Sequence, residues 1–200
     1  MGRKVVAIIG SYRKGGSIDS AVQAVLAGAR ESGAQTDAIY LTDKHLEFCT
    51  NCRQCTQPAG EDRGKCRQQD DLDAVLTELE AADAIVLASP VNYYNVTAIF
   101  RRFMERLLGY TFWPWGQAMP KLRRKQWPRR AALVASSAAP GFVIPLFFTG
   151  VPRALALTAK SLGAKPVSRL WIGLASGGPH QALPARTLAR ARRIGMKLAG

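Results

Sequence analysis

Short apolar runs alternate with amphipathic segments along the whole chain. The runs have the length of buried strands and cover residues 4–10, 36–41, 83–90, 131–137 and 167–175. Between them, apolar residues recur at every third or fourth position, which is typical of helices that bury one face. This spacing predicts helices at residues 17–33, 70–82, 96–108, 146–163 and 185–199.

The alternation predicts an α/β fold in which helices cover both faces of a five-stranded parallel sheet. Ligands of such sheets bind beyond the carboxyl ends of the strands, where the strand order reverses. Three polar turns follow predicted strands: the first turn is residues 10–17, the second turn is residues 89–95 and the third turn is residues 136–141. We therefore expect the three turns at one edge of a single domain spanning residues 1–200.

The chain is strongly basic, with 28 Lys and Arg against 14 Asp and Glu and a net charge of +14. Such a field attracts anions of any kind, although a solvated Arg-rich surface explains the same composition. Nucleic-acid binding is disfavoured because no recognition motif accompanies the charge. The N-terminus shows no cleavable apolar leader, and Pro and Gly interrupt the uncharged stretch 131–152. We therefore expect a cytoplasmic protein without a membrane span.

The first turn reads GSYRKGGS and carries groups that suit a phosphate. Gly16 occupies the position where a nucleoside-triphosphate loop needs Lys, which argues against an ATPase or GTPase. The hydroxyls of Ser11 and Ser17 and the guanidinium of Arg13 suit a single terminal phosphate beside a helix N-terminus. A plain strand-to-helix turn capped by Ser17 is the alternative.

Taken together, three segments resemble the flavodoxin-like NAD(P)H-dependent FMN reductases, in the branch with iron–sulfur flavoproteins and multimeric flavodoxins. The segments are GSYRKGGS, CTNCRQC followed by Cys66, and ADAIVLASPVNYYNVTAIFRRFMERL. The resemblance implies a flavodoxin-like three-layer sandwich with noncovalently bound FMN. It assigns the phosphate to the first turn and the ring and ribityl chain to the other two. The residues it assigns to FMN are Ser11, Arg13, Gly16, Ser17, Ile18, Pro90, Val91, Asn92, Tyr93, Ser136 and Ser137.

The resemblance also implies an oxidoreductase that transfers a hydride from NAD(P)H to FMN. Electrons then pass to a quinone, an azo or nitro compound, or another acceptor. The cofactor carries this chemistry, so no catalytic side chain is assigned. The alternative is an electron-transfer flavoprotein with an iron–sulfur cluster and FMN that serves a redox partner with little NAD(P)H turnover. The basic surface favours NADPH, and we expect a homodimer or homotetramer.

The four cysteines, Cys49, Cys52, Cys55 and Cys66, are candidate metal ligands. A Cys-x2-Cys-x2-Cys run is typical of [4Fe–4S] ligation, and the resemblance implies such a cluster here. The fourth cysteine lies closer in the iron–sulfur relatives than Cys66 does in this chain. Zinc, a redox disulfide and free thiols therefore stay open as alternatives.

Two further groups of residues have several possible roles. Trp113 and Trp115 lie in an aromatic segment that would cover the flavin, wall a substrate pocket or enter a dimer contact. His45 and His180 are isolated in the sequence, without a second ligand at metal spacing. Both are interpreted as surface or hydrogen-bonding residues.

Overall fold

The computed structural model describes residues 2–124, 128–178 and 180–200. Within these residues the strands are β1 (Lys4–Ile9), β2 (Gln35–Tyr40), β3 (Ala84–Pro90), β4 (Thr111–Phe112), β5 (Lys121–Leu122), β6 (Arg129–Ser136) and β7 (Ala164–Ile172). The α-helices are α1 (Ser17–Glu31), α2 (Leu72–Glu80), α3 (Ala98–Glu105), α4 (Ile144–Phe147), α5 (Gly150–Ser161) and α6 (Ala185–Ala199). Short 3₁₀ helices cover Leu41–Asp43, Gln54–Thr56, Arg106–Tyr110 and Gly141–Val143.

The main sheet is parallel and has the order β2-β1-β3-β6-β7. This confirms the predicted flavodoxin-like sandwich, because the order is that of a doubly wound sheet with one reversal. The reversal lies between β1 and β3, where successive crossovers begin to run in opposite directions. The carboxyl ends of β3, β6 and β7 are in register, with Pro90 paired to Ser136 and Ser136 paired to Ile172.

Alternating side chains of the central strands fill two separate cores, because successive residues of a strand point to opposite faces. Val5, Ala7 and Ile9 of β1 join the core beneath α1 and α6. Val6 and Ile8 join the core beneath α2, α3 and α5. All five side chains are fully buried, which places both helical layers against the middle of the sheet.

Two local features differ from the predicted pattern. The helix predicted at residues 146–163 is split into α4 and α5, which meet at a bend of 80°. At the start of α5, a Cβ on Gly150 would lie 3.1 Å from the carbonyl oxygen of Tyr94. An antiparallel hairpin of β4 and β5 follows α3 and was not predicted, since each of its strands has only two residues. Neither difference disturbs the edge where the strands end.

The uncharged stretch after Arg130 forms β6, the third turn and α4. Among the described residues, no single helix has both the length and the apolarity needed to cross a membrane. One pair, Gly141–Phe147 with Gly150–Ser161, meets both criteria jointly and is bent by 80°.

Candidate functional site

The first turn is fixed to β3 and α3 by its backbone. Gly10 N–H donates to the carbonyl of Ala88 at 2.8 Å, and Gly10 C=O accepts from Thr97 Oγ1 at 2.6 Å. A Cβ on Gly10 would lie 2.7 Å from Phe100 Cβ, so a larger residue would force the two elements apart. Thr97 is also the N-cap of α3 and accepts from Phe100 N–H.

Within the first turn, the side chains of Ser11 and Asp19 accept hydrogen bonds from the backbone. Ser11 Oγ accepts from the Arg13 N–H at 3.2 Å. Asp19 Oδ2 accepts from the Gly15 N–H at 2.6 Å, and Asp19 Oδ1 accepts from the Tyr40 hydroxyl at 2.8 Å. The buried carboxylate of Asp19 therefore links the first turn to Tyr40 of β2, while Arg13 is exposed.

Helix α1 begins without a side-chain cap. Its N-cap is Gly16, which makes no capping hydrogen bond, so the prediction that Ser17 caps the helix is wrong. The alternative of a plain strand-to-helix turn stays open. The N–H groups of a helix's first turn have no intrahelical acceptor, and the helix dipole favours an anion there. The first turn of α1 is consequently a place where a phosphate can accept several backbone hydrogen bonds.

The second turn closes with two hydrogen bonds between Asn92 and Asn95, at 2.8 and 3.1 Å. Its central residues, Tyr93 and Tyr94, both have positive φ, at 46° and 64°. Two left-handed residues in succession are the signature of a type I′ turn, which non-glycine residues adopt only under constraint. The ring of Tyr94 rests 5.4 Å from that of Phe148, while Tyr93 is 94% exposed.

The third turn is tied to its neighbours on both sides. Ser136 C=O accepts from Val91 N–H at 2.7 Å, which joins the second turn to the third. Ser137 N–H donates to the carbonyl of Ile172 at 2.9 Å, and Ser137 Oγ donates to that of Ala139 at 2.9 Å. Ser136 and Ser137 are both buried below the edge of the sheet.

These turns enclose a cavity of about 330 Å³ at the carboxyl edge of the sheet. The predicted residues that line it are Ser11, Arg13, Gly16, Ser17, Ile18, Pro90, Val91, Asn92, Ser136 and Ser137. Tyr93 was predicted with them and lies outside the lining, because the type I′ turn leaves its side chain in solvent. A contact between Tyr93 and a flavin ring stays a prediction.

Sequence reasoning missed several lining residues, namely Tyr12, Thr97, Ala138, Ala175 and Gly178. Thr97 was missed because its hydrogen bond to the Gly10 carbonyl at the end of β1 forms only when β1 and β3 are adjacent. Ala175 and Gly178 belong to a fourth turn, residues 173–178 and 180–181, which follows β7. The Gly-rich composition after a predicted strand was the signal for that turn.

The cysteine segment, residues 49–66, is irregular apart from the 3₁₀ helix Gln54–Thr56. All four cysteines are free thiols and half-buried. Burial raises the pKa of the Cys55 thiol to about 11, with smaller contributions from the neighbouring Cys66, Cys49 and Cys52. The thiols are therefore neighbours, yet the described residues contain no group of three or more side chains arranged to hold a metal ion. That the four cysteines together bind a metal cluster stays a prediction.

Arg53 and the two tryptophans form one contact at the outer side of the cysteine segment. The guanidinium carbon of Arg53 lies 3.8 Å from the ring centre of Trp113 and 4.1 Å from that of Trp115. Arg53 Nη2 also donates to the carbonyl of Trp113 at 2.7 Å. The tryptophans thus hold the cysteine segment, and neither lines the cavity at the strand ends.

The inner side of the segment rests on a buried ion pair. Arg106 Nη1 donates to Asp70 Oδ2 at 2.6 Å, and both side chains are 1% exposed. Arg106 Nη2 lies 3.4 Å from Cys66 Sγ. Burial by itself would raise the pKa of Asp70, but hydrogen bonds from Arg106 and from the N–H groups of Glu47 and Leu72 lower it.

Comparison with known proteins agrees with this architecture. The family model described as NADPH-dependent FMN reductase matches residues 3–142, which is more than half of the chain. This chain belongs to that family. The match includes the first and second turns and all four cysteines, and it ends just after the third turn.

Several relatives carry the words iron–sulfur in their names. An iron-sulfur flavoprotein of Archaeoglobus fulgidus is 37% identical over 107 residues, covering 54% of this chain and 46% of that protein. An iron-sulfur flavoprotein of Methanocaldococcus jannaschii is 37% identical over 103 residues, covering 52% and 51%. This chain matches only about half the length of these relatives.

Among solved structures, an NAD(P)H:quinone oxidoreductase from Methanothermobacter marburgensis superposes with a TM-score of 0.70 at 17% identity. The superposition covers 99% of this chain and 100% of the other. At that identity the likeness establishes the fold alone. It supports the assignment of the five-stranded sheet as flavodoxin-like.

Proposed function

We propose that the cavity binds FMN and that the chain acts as an NAD(P)H-dependent oxidoreductase on small electron acceptors in the cytoplasm. The observation that carries the proposal is the convergence of three turns, from distant parts of the sequence, on one cavity at the reversal of the strand order. Its volume of about 330 Å³ lies within the range of small-ligand pockets. Family membership supports the choice of FMN over other nucleotides.

The phosphate end of the cavity fits a terminal phosphate monoester. Arg13 supplies a guanidinium, and Ser11 and Ser17 supply hydroxyl groups on the same wall. The uncapped first turn of α1 adds backbone N–H donors and the positive end of its dipole. A doubly charged phosphate at this place would satisfy donors that otherwise have only water.

The other end of the cavity fits a flat, partly apolar ring. Pro90 and Val91 provide apolar surface, and Asn92 provides an amide beside the type I′ turn. Ser136 and Ser137 face the same space from the third turn and would approach the ribityl chain or the pyrimidine edge. Because Val91 N–H and Ser137 N–H are already bonded to the neighbouring strand ends, both walls are rigid before a ligand enters.

When bound, FMN supplies the redox chemistry by accepting a hydride from NAD(P)H and returning electrons to a quinone, an azo or nitro compound, or a similar acceptor. The residues that line the cavity would bind the cofactor and orient its ring. The net charge of +14 would favour NADPH over NADH, because the additional phosphate meets a positive field.

The test is steady-state oxidation of NADPH by the FMN-loaded protein with a soluble quinone. We expect turnover that depends on added FMN, and a higher kcat/KM for NADPH than for NADH. FMN binding without NADPH oxidation would contradict the reductase. Equal kcat/KM for the two nucleotides would contradict the NADPH preference alone.

A second candidate function is electron transfer between FMN and an iron–sulfur cluster, with a redox protein as partner. The four-thiol segment and the two named relatives favour it. The arrangement of the thiols in this structure does not fit a cluster, so no step is routed through one. Iron and sulfide analysis of protein purified without oxygen, with the NADPH assay, separates the two functions. Stoichiometric iron with little NADPH turnover would favour electron transfer.

We also propose that the protein assembles into a homodimer or homotetramer. The supporting observation is a set of large apolar side chains that are exposed near the second and third turns. These side chains are Tyr93, Tyr94, Phe142, Leu146 and Phe147. Light scattering coupled to gel filtration tests the proposal, and a monomer at micromolar concentration would contradict it.

A further inference from the structure

The fourth turn is built into the wall of the cavity. Leu174 N–H donates to the carbonyl of Ala139 at 3.1 Å, and Ala175 N–H donates to that of Ser137 at 2.9 Å. Gln181 closes the turn, because its Oε1 accepts from Gly177 N–H at 2.7 Å and its Nε2 donates to the Leu174 carbonyl at 2.9 Å. The fourth turn thus extends the third turn across the cavity.

This closure brings His180 to the first turn. A Cβ built on Gly15 would lie 3.4 Å from Nδ1 of His180. Gly15 cannot offer its own amide to a ligand, since that N–H donates to Asp19 Oδ2. The imidazole of His180 therefore lies beside a residue of the first turn whose own N–H is already used.

Of the charged side chains near Gly15, two are already paired with other groups of the protein. Lys14 Nζ is bound to Asp43 at 2.7 Å, and Asp19 is committed to Gly15 and Tyr40. Arg13 lies on the cavity wall two residues away. Among the described residues, neither the imidazole of His180 nor the guanidinium of Arg13 has a hydrogen-bond or carboxylate partner. An unpaired imidazole beside Gly15 and an unpaired guanidinium on the cavity wall suit a doubly charged group better than a neutral one.

We propose that His180 binds the terminal phosphate of the flavin and so makes the site select FMN over unphosphorylated riboflavin. The inference rests on the proposed function. The imidazole donates an N–H to a phosphate oxygen, opposite the donors of the first turn. The fourth turn thereby joins the first three turns in contacting the cofactor. It follows β7, the edge strand of the sheet, and reaches the phosphate from there.

The experiment compares the dissociation constants of FMN and riboflavin, measured by quenching of flavin fluorescence with the full chain. Removing the hydrogen bond to the charged phosphate predicts that His180→Ala weakens FMN binding about tenfold and riboflavin binding by less than about twofold. His180→Arg should keep most of the FMN affinity, because its guanidinium supplies an N–H donor at the same position. His45→Ala is the matched control, since His45 is exposed and already bound to Glu47 at 2.9 Å.

Three results would overturn the inference. If His180→Ala leaves the FMN dissociation constant unchanged, or weakens FMN and riboflavin binding equally, the imidazole does not contact the phosphate. If His180→Arg binds FMN as weakly as His180→Ala while its unfolding midpoint matches wild type, the site does not use an N–H donor at this position. If the wild type binds neither flavin, the proposed function itself fails, which the two-ligand design separates from a fault of His180 alone.

Discussion

The turns around the cavity and the cysteine segment are both irregular, but they are held by different forces. Backbone hydrogen bonds between strand ends hold the turns, as in the bonds of Gly10 to Ala88 and of Val91 to Ser136. Arginine side chains hold the cysteine segment: Arg106 binds Asp70, and Arg123 donates to the carbonyls of Cys55, Pro58 and Gly60. The site's geometry therefore follows from the sheet, whereas the geometry of the cysteine segment follows from a few side chains.

Because of this difference, we expect the cysteine segment to affect the stability of the fold and the turns to affect cofactor binding. A substitution among the arginines should loosen the cysteine segment and leave the cavity unchanged, because sites that share no partner act independently. A substitution in the turns should alter flavin binding directly.

The largest effect is expected for Arg106→Ala, which leaves the buried carboxylate of Asp70 without its partner. Breaking a buried ion pair from one side costs about 3–5 kcal/mol in unfolding free energy, measured by urea denaturation. Arg101→Ala is the control, because its pair with Glu105 is exposed and worth about 0–1 kcal/mol. Equal losses in the two variants would contradict the role given to burial.

Acid should weaken the same ion pair. Since the folded pKa of Asp70 is lowered, its stabilising contribution is complete above the unfolded value of about 3.9 and is lost as the pH falls through the folded pKa. The difference in unfolding free energy between wild type and Asp70→Asn should be constant from pH 7 to 5 and shrink below about pH 4. A difference that shrinks between pH 7 and 6 would point to another titrating group.

Gly10→Ala tests the first turn. The added methyl would lie 2.7 Å from Phe100, and such overpacking costs about 1–3 kcal/mol. Because Gly10 also positions Thr97, we expect FMN binding to weaken along with stability. Gly200→Ala is the control, since a Cβ there would lie no closer than 3.6 Å to another residue's atom and Gly200 is outside the cavity lining. A fully stable Gly10→Ala variant with normal FMN affinity would show that the turn tolerates displacement.

The smallest effect is expected for Arg53→Ala, which removes the stacking of the guanidinium on Trp113 and Trp115. Contacts of this kind are worth about 0.5–2 kcal/mol. Tryptophan fluorescence should report the released rings, while the FMN dissociation constant stays within about twofold of wild type, as expected for independent sites. A large loss of FMN affinity would mean that the cysteine segment and the cavity are coupled.

The elements that the sequence predicted are those with a regular hydrophobic periodicity, namely the strands and helices. Alternating periodicity located the five strands and therefore the turns that follow them, because parallel strands bring their carboxyl ends to one edge. It did not predict the exposure of Tyr93, which depends on a type I′ turn of two non-glycine residues. Nor did it predict the contacts of Arg53 and Arg106, since long side chains choose partners far away in the sequence.

The central claim is that the turns, and not the cysteine segment, bind FMN. The direct test is titration of FMN into three proteins: wild type, Arg13→Ala, and a variant with all four cysteines changed to Ser. We expect Arg13→Ala to raise the dissociation constant by about tenfold or more, since it removes a charged donor, and the cysteine variant to match wild type. Unchanged affinity in Arg13→Ala, or loss of FMN binding in a cysteine variant that still folds, would contradict the claim.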